Sequence, residues 1–325
     1  ETDTLYVWYN KLKADSLQLD ALEKECGLVS WDGSAVIRHY GSDALDLLHR
    51  LTTKELLSVG VGQAQRTVLT SAQGRVVDTF LVAHTAENEL LLISDSSKPD
   101  RTVSAIDYYT IIEDAELEDD SESLIRFSLI GPTAGEVVHV MLGVDLDDRS
   151  TATMEHQGIS VVVAVDNSRG VDWIDVVVDR ERAGELSSAL LATGATEIDE
   201  THFDHFRIAS AIPGSDAEYG EHSNPIEAGL LSLIDFDKGC YVGQEVIARL
   251  DAYDKVQRNV RVLKSNEPIA VGTKLQSGTK PAGIITSSSS IETAEGGFLS
   301  LALVRKAFLN IGTQLGAEST SAVVG

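Results

Sequence analysis

The stretch from Asp235 to Arg249 brings a cation, a thiol, an aromatic ring and a charged pair closer together than any other part of the sequence. Lys238 precedes Cys240 by two residues, and Tyr241 follows it directly. A nearby lysine and the N-terminus of a following helix both favour the thiolate form of a cysteine and attract anions. The residue types therefore predict either a reactive thiol at an anion-binding site or a small buried cysteine that fills a turn.

Glycines and a helix are the elements that would position this chemistry. Gly239 and Gly243 flank the Cys-Tyr pair, so the backbone can turn sharply or approach another group closely. From Gln244 the apolar residues fall on one helical face, and Glu245 and Arg249 have the i,i+4 spacing of an ion pair on a helix. The apolar run before this stretch indicates a strand, so we predict a strand, a tight turn and a helix.

Length and charge restrict the class of protein. The 325 residues are enough for two or three compact units, and the apolar fraction of 43% can fill their cores. No stretch reaches the roughly 18 apolar residues of a membrane-spanning helix, and the start lacks a signal-peptide pattern. The net charge of −25, from 26 Lys and Arg against 51 Asp and Glu, disfavours nucleic acid and anionic membranes as partners. The acids are spread along the whole chain, which favours a salt-adapted, halophilic protein.

The cysteines and histidines give no pattern of metal ligands. Cys26 and Cys240 lie far apart, match no zinc or iron–sulfur spacing, and predict no disulfide framework. This usage favours the reducing cytoplasm. His202 and His205 have an i,i+3 spacing that can chelate a metal, but no third ligand accompanies them, so we predict no metal site.

The order of apolar runs and turn residues predicts an α+β fold. Strand, helix and hairpin patterns occur twice, over residues 1–113 and 124–200, and predict two related α+β lobes; one hairpin turns at residues 71–74. Residues 201–254 contain a helix and the stretch described above, and they complete this region. From 255 to 325, short β-like runs separated by Gly, Ser and Pro predict a C-terminal β-barrel domain.

Four local patterns give sharper expectations. Gly27 is predicted to end a first helix that starts near residue 5, and Thr133 is predicted to begin its helix with a capping box. Residues 113–122 hold seven acids in ten positions and are predicted to be a solvated connection. The residues from Ala317 onward, except Val323 and Val324, are predicted to be a frayed tail.

A longer motif lies within the Asp235–Arg249 stretch, and it reads Lys238-Gly239-Cys240-Tyr241 followed by Gly243-Gln244-Glu245. It resembles the signature of the YgfZ branch of the folate-binding, aminomethyltransferase-like superfamily, whose best-known member is the glycine cleavage T-protein (GcvT). Similar landmarks follow the family's order along nearly the whole chain, at residues 27–52, 74–78, 129–132, 207–213, 225–230 and 282–305.

The resemblance implies two α+β lobes and a C-terminal barrel in a ring around a central channel, which holds tetrahydrofolate or a derivative. For the YgfZ branch it implies a role in assembling or repairing iron–sulfur proteins, its clients, with no cluster held permanently. A folate needs an apolar slot for its pterin, hydrogen-bond partners for the ring edge and cations for its glutamate tail. The folate-binding candidates are Lys238, Tyr241, Gln244, Glu245, Arg249, Arg207 and Glu227.

Cys240 and Asp78 are the candidate catalytic residues. The T-protein carries two adjacent aspartates where this chain has Asp78 followed by Thr79, so half of that acid–base pair is retained. Many relatives have a pterin-holding glutamate where Ala209 stands. These departures favour a YgfZ-type accessory protein. The alternatives are a folate-dependent aminomethyltransferase or demethylase that uses Asp78, and a scaffold whose ligand pocket has decayed.

Overall fold

The computed structural model describes residues 17–147, 149–317 and 320–325. These residues form two compact units. The larger unit comprises Asp20–Ile198 and Ser232–Gln244. The smaller unit comprises residues 17–19, Asp199–Leu231 and Glu245–Gly325. In the part of the chain that is described, no helix combines the length and the apolar character needed to cross a membrane.

The first sheet of the larger unit has five antiparallel strands with two helices on one face. In spatial order the strands are β3 (Ala64–Thr70), β4 (Val76–Ala86), β5 (Glu89–Ser94), β2 (Val36–Tyr40) and β6 (Glu116–Asp119). The helices are α2 (Ala44–Leu51) and α3 (Pro99–Asp107). Because side chains alternate along a strand, Phe80 and Val82 both point to the helices and form an apolar core with Leu47 and Leu48.

One local prediction for this sheet is confirmed and one is wrong. The hairpin around residues 71–74 is confirmed, since β3 and β4 pair antiparallel on either side of that turn. The solvated connection predicted over residues 113–122 is wrong, because part of it pairs with β2 as the edge strand β6. Leu117 packs against the core while its acidic neighbours remain exposed. An edge strand tolerates such charges because its outer side faces water.

The second sheet of the larger unit has six strands. In spatial order they are β11 (Thr196–Glu197), β1 (Gly27–Trp31), β7 (Leu124–Ile130), β10 (Trp173–Asp179), β9 (Ile159–Val165) and β8 (Thr151–His156). Helices α4 (Ala134–Leu142) and α5 (Ala183–Ala192) cover one face with an apolar core. The sheet combines strands from distant parts of the chain, because β1 precedes every strand of the first sheet.

The two sheets pack against each other through their remaining faces. An apolar layer between them includes Leu81, Ile93 and Val177. Beside it lies a buried ionic cluster of three arginines and three aspartates: Arg66, Arg126, Arg169, Asp95, Asp166 and Asp175. Burial opposes ionisation of Asp95 and Asp166, but the guanidinium groups outweigh it and hold the pKa of both carboxyls well below the usual range. Equal numbers of opposite charges let the cluster remain buried.

The smaller unit contains helix α6 (Glu200–Ala209), most of helix α7 (Gln244–Ala252) and a closed β-barrel. Around the barrel the strands are β12 (Arg258–Ser265), β15 (Phe298–Arg305), β14 (Lys280–Glu292), β13 (Lys274–Ser277), β16 (Gln314–Ala317) and β17 (Thr320–Val324). The predicted α+β class and C-terminal β-barrel are thereby confirmed. The predicted frayed tail is wrong for the described residues, because β17 pairs with β12 and β16, and Ala317 and Ala322 are buried in the barrel core.

Two predicted helix ends differ from the structure. Helix α1 (Leu17–Lys24) ends before Gly27, which opens strand β1; the predicted start, residues 5–16, lies outside the described residues. A Cβ on Gly27 would lie 2.7 Å from a Leu22 methyl group, so close packing explains this glycine. The capping box at Thr133 is wrong, since its side chain makes no cap hydrogen bond and its backbone is not extended, as a cap requires.

Candidate functional site

The predicted thiol lies in the loop between a short 3-10 helix, Leu231–Leu233, and helix α7. The strand predicted before this loop is wrong, because the apolar run forms that 3-10 helix. Asp235 fixes the start of the loop. Its N–H donates to the Thr53 carbonyl at 3.0 Å, and its carboxylate accepts from Lys54 Nζ at 2.7 Å. The loop is therefore tied to the segment that follows helix α2.

The Lys238 ammonium fastens the middle of the loop. Nζ donates to three backbone carbonyls, those of His49 at 2.6 Å and of Thr52 and Lys54 at 2.7 Å each. His49 lies in the last turn of α2, so the lysine satisfies carbonyls at the negative end of that helix. Burial lowers the pKa of Lys238 to about 8, although nearby carboxylates favour its charged form. All three ammonium protons are engaged in holding the loop.

The residues after the thiol are fixed as well. Tyr241 is buried, with its ring centroid 5.3 Å from Lys238 Nζ, and burial raises the pKa of its phenol to about 12. The Val242 N–H donates to the Arg50 carbonyl at 3.1 Å, and the Val242 carbonyl accepts from the Thr70 hydroxyl. Contacts to α2 and to β3 thus hold this part of the loop.

Gly243 makes the sharp turn that the sequence predicts. Its φ is +84°, and a Cβ at this position would lie 2.5 Å from the backbone oxygen of Ser71 in the β3–β4 turn. Any residue with an L side chain would be strained both in its backbone and in its packing. Glycine is therefore required where the loop crosses the hairpin.

Cys240 lies between these fixed points and is exposed, so the interpretation as a buried filler is wrong. Cys26 is the opposite case: it is buried, and burial raises the pKa of its thiol to about 12. Neither cysteine is in a disulfide with a described residue. One thiol of the two is placed to react with molecules from solution.

A surface cavity of about 520 Å³ opens beside Lys238. Its other lining residues are Glu55, Ile234, Asp235, Phe236 and Asp237. Three of them are carboxylates, and the only cation among the lining residues is committed to backbone carbonyls. The cavity therefore suits a ligand that offers N–H donors and an apolar face.

Asp78 lies in strand β4 and has no exposed surface. Its carboxylate accepts from the hydroxyls of Ser94 and Thr102, at 2.8 and 2.5 Å, and from the Thr79 N–H at 2.8 Å. Burial raises the pKa of Asp78 to about 6, against these hydrogen bonds, which favour the charged form. The carboxyl joins β4, β5 and α3, and a substrate could reach it only after this packing had opened.

Arg207 and Glu227 belong to the smaller unit and are both engaged in ion pairs. Arg207 donates to Asp204 at 2.6 Å and to Ser287 at 3.0 Å, and it pairs with the wholly buried Glu218. Glu227 pairs with Arg258 at 3.3 Å. Both side chains support contacts within their own unit.

Gln244, Glu245 and Arg249 lie in helix α7. The Gln244 amide reaches the Lys238 carbonyl at 3.5 Å. Glu245 and Arg249 form the predicted i,i+4 ion pair, with side chains 85% and 61% exposed. Such an exposed pair is weak and is readily exchanged for a ligand carboxylate.

Ala209 carries no ligand group, and the two histidines do not converge on a third metal ligand among the described residues. Ala209 packs against the barrel, so no carboxylate stands at that position. His205 is buried against the Ser289 hydroxyl, while His202 pairs with Asp199. Among the described residues, no group of three His, Cys, Asp or Glu side chains could hold a metal ion.

No local sequence pattern predicts the residues that support the loop. Thr53 and Lys54 belong to none of the motifs described for the sequence. In the structure their backbone and side chains hold Asp235 and Lys238. These contacts join residues more than 180 positions apart, so no local pattern could have predicted them.

The fold and the site define an α+β protein with a closed six-stranded barrel and a rigid loop that carries an exposed thiol. The family model described as the GCVT N-terminal domain matches residues 6–238. The chain therefore belongs to the GCVT N-terminal domain family.

The relatives agree with this assignment. A chloroplastic transferase candidate of Arabidopsis thaliana is 27% identical, over 95% of this chain and 72% of that protein. An aminomethyltransferase of Caldanaerobacter subterraneus is 24% identical, over 91% of this chain and 81% of its own. The crystal structure of the glycine cleavage system aminomethyltransferase T from Bartonella henselae has the same fold. It matches with a TM-score of 0.81 at 16% identity, covering 94% of this chain and 86% of that one.

Proposed function

We propose that this protein binds tetrahydrofolate or a derivative and supports iron–sulfur enzymes as a YgfZ-type accessory protein. The observation that carries the proposal is the exposed thiol of Cys240 on a loop that Lys238, Tyr241 and Gly243 fix in place. A cysteine with only a packing role would be buried, as Cys26 is. A rigid mount for an exposed reactive group is what chemistry at that group requires.

A single exposed thiol suits transient contact with a cluster. Iron–sulfur clusters are held by several thiolate ligands, and a lone thiolate can bind iron or exchange with another sulfur only briefly. Cys26 is buried and does not supply a second ligand. These properties favour handling of clusters that belong to client proteins, in the reducing cytoplasm where an exposed thiol persists.

The cavity beside Lys238 supports a place for the pterin of the folate. Its volume of about 520 Å³ is typical of small-molecule sites. The exposed carboxylate of Asp237 can accept from the N–H groups of a pterin edge, and Phe236 offers an apolar face that is 40% exposed. A ring bound here would lie beside the loop that carries the thiol.

Of the three cations proposed for the glutamate tail, Arg249 is the most available. Lys238 is committed to three carbonyls, and Arg207 is engaged with a buried carboxylate. The partner of Arg249 is exposed, so a ligand carboxylate can replace it at little cost in free energy. Arg249 is therefore the first residue to test for the tail.

A complementation experiment tests the role of the thiol. We expect Cys240→Ala, expressed in a strain that lacks its YgfZ-type protein, to fail to restore iron–sulfur enzyme activity. Cys26→Ala is the matched control, because it removes the other thiol and should restore activity if it folds. Full restoration by a folded Cys240→Ala protein would make the exposed thiol irrelevant and contradict the proposal.

An aminomethyltransferase is the second candidate, because several relatives carry that name. Asp78 would then act as the general acid or base, although its side chain is buried and its pKa is raised to about 6. Formation of methylene-tetrahydrofolate by the protein, and its loss in Asp78→Asn, would favour this candidate. If tetrahydrofolate does not bind in molar salt, the protein is better described as a scaffold without a ligand.

A further inference from the structure

Residues 255–325 differ in charge from the rest of the chain. They carry eight Lys and Arg against four Asp and Glu, whereas residues 1–254 carry 18 against 47. A segment of net charge +4 thus follows one of −29. Such a reversal of sign marks a region where an anionic partner gains from charge complementarity.

The barrel formed by this segment has one weak seam. Strands β13 and β16 pair at a single position, Gln276 with Gly316, while each pairs along its length with its other neighbour. The edges that face each other across this seam are therefore not joined by a continuous ladder. Strand edges of this kind can accept main-chain hydrogen bonds from another extended segment.

A surface cavity of about 750 Å³ lies along the seam. Its polar side chains are those of Lys274, Gln276, Ser277, Gln314 and Ser321. Three glycines also line it, so the backbone is accessible, and none of the lining residues is acidic. In a chain with about two acids for every base, such a lining is unusual.

Two lysines beside the seam have no charged partner among the described residues. Lys274 on β13 and Lys280 on β14 are exposed, and neither forms an ion pair or hydrogen bond with any residue that the structure describes. Other basic side chains of the barrel do have partners: Lys264 pairs with Glu295, and Lys306 pairs with Asp254. The hairpin that borders the seam thus carries two cations without a partner in the part of the barrel that is described.

We propose that the β13–β16 seam is a docking site for an extended acidic segment of a partner protein. The segment lies along the seam, hydrogen bonds to the strand edges, and places its carboxylates on Lys274 and Lys280. The side-chain amides of Gln276 and Gln314 supply further donors. This site is independent of the folate and the thiol, since none of their residues takes part.

A protein segment fits the seam better than a nucleic acid does. None of the lining residues is aromatic, so bases would find no stacking platform. The net charge of −25 also disfavours a polyphosphate as the partner, whereas a short peptide carries few charges. Small residues and backbone groups are the surface that strand addition uses.

Fluorescence anisotropy with labelled synthetic peptides tests the proposal on the full chain. The probe is a short peptide that alternates glutamate and valine, and the salt concentration is the lowest at which the protein stays folded. We expect saturable binding that weakens with salt. The double variant Lys274→Glu/Lys280→Glu should weaken it by at least about tenfold, which corresponds to about 1.4 kcal/mol. Lys264→Glu is the matched control, because that lysine is already paired, and it should leave binding unchanged.

The comparison probes separate the possible occupants. A peptide of the same charge with alternate residues replaced by proline cannot form a ladder and should bind at least about tenfold more weakly. Absence of binding by the alternating peptide, or equal loss in Lys264→Glu, would overturn the proposal. Tighter binding of a single-stranded oligonucleotide would assign the seam to nucleic acid instead. Self-association that the double variant abolishes would assign it to a second copy of this chain.

Discussion

Cys240 and Cys26 present the same group in opposite surroundings, so a thiol reagent should distinguish them. Cys240 is exposed, whereas Cys26 is buried and its thiol pKa is raised to about 12. We expect the folded protein to react rapidly at one thiol per chain and the unfolded protein at two. Mass spectrometry after alkylation and digestion identifies the site. Rapid labelling of Cys26 under native conditions would contradict the placement of both residues.

Asp78 should make the protein less stable as the pH rises. Its pKa is raised from 3.8 to about 6 in the folded state, mainly by burial. The stabilising contribution of the protonated carboxyl is therefore fully present below the unfolded pKa and is lost as the pH rises through the folded one. We expect the free energy of unfolding of the wild type, relative to Asp78→Asn, to fall by about 2–3 kcal/mol between about pH 4 and pH 7.

Urea unfolding at several pH values measures this difference. Asp107→Asn, at an exposed position of α3, controls for the loss of one formal charge. A difference between wild type and Asp78→Asn that stays constant with pH would mean that the Asp78 carboxyl is not held in the buried state described here.

At the residue scale, the sequence predicts what depends on neighbours along the chain. The turn at Gly243 and the ion pair of Glu245 and Arg249 follow from local spacing, and both are present. The hydrogen bonds of the Lys238 ammonium do not follow from local spacing, because the carbonyls that accept them lie 184 to 189 positions earlier. A lysine two residues before a cysteine gives the same sequence pattern whether its ammonium group binds a ligand or backbone carbonyls.

At the scale of elements, Lys238 joins the thiol loop to the C-terminal end of helix α2. Lys238→Met keeps the apolar stem of the side chain but leaves three carbonyls without their donor. We expect a loss of about 2–4 kcal/mol in the free energy of unfolding, measured by urea titration. The alkylation rate of Cys240 should also change, because the loop loses its anchor. Arg249→Met, which breaks an exposed pair, should change stability little.

Equal destabilisation by Lys238→Met and Arg249→Met would contradict the anchoring role of Lys238. A stable Lys238→Met protein that no longer binds tetrahydrofolate would instead make Lys238 a ligand-binding cation. The two measurements together therefore separate the structural role from the binding role.

The elements that the sequence fails to predict are those whose formation depends on distant partners. Strand β6 has one partly buried side chain among acids, and it becomes a strand because β2 offers an edge. The sequence of strand β17 predicts a polar tail, but the segment is a strand because β12 and β16 pair with it. The long apolar strands and the helices with clear periodicity can be predicted from their own sequences, without knowledge of the elements they pack against.

At the scale of the whole molecule, a net charge of −25 produces self-repulsion that salt should relieve. We expect the midpoint of thermal unfolding to rise between dilute and molar potassium chloride, as it would in a salt-adapted protein. Scanning calorimetry over a series of salt concentrations measures this. An unchanged or lower midpoint would contradict the halophilic interpretation.

The larger-scale organisation was predictable only in outline. The α+β class and the C-terminal barrel follow from patterns within each segment. Packing between distant segments places β1 in the second sheet. It also forms the buried cluster that joins Arg66 and Arg126 to three aspartates. Charged residues in a sequence are usually assigned to the surface, so this cluster carries no local signal.

The proposed function requires that a reduced folate and the exposed thiol of Cys240 act at one site. The test is the rate of alkylation of Cys240, measured under anaerobic conditions in molar salt while tetrahydrofolate is titrated. We predict that the rate falls saturably, with the same midpoint as folate binding measured by calorimetry. A rate that stays constant while folate binds, or the absence of any binding, would contradict the claim.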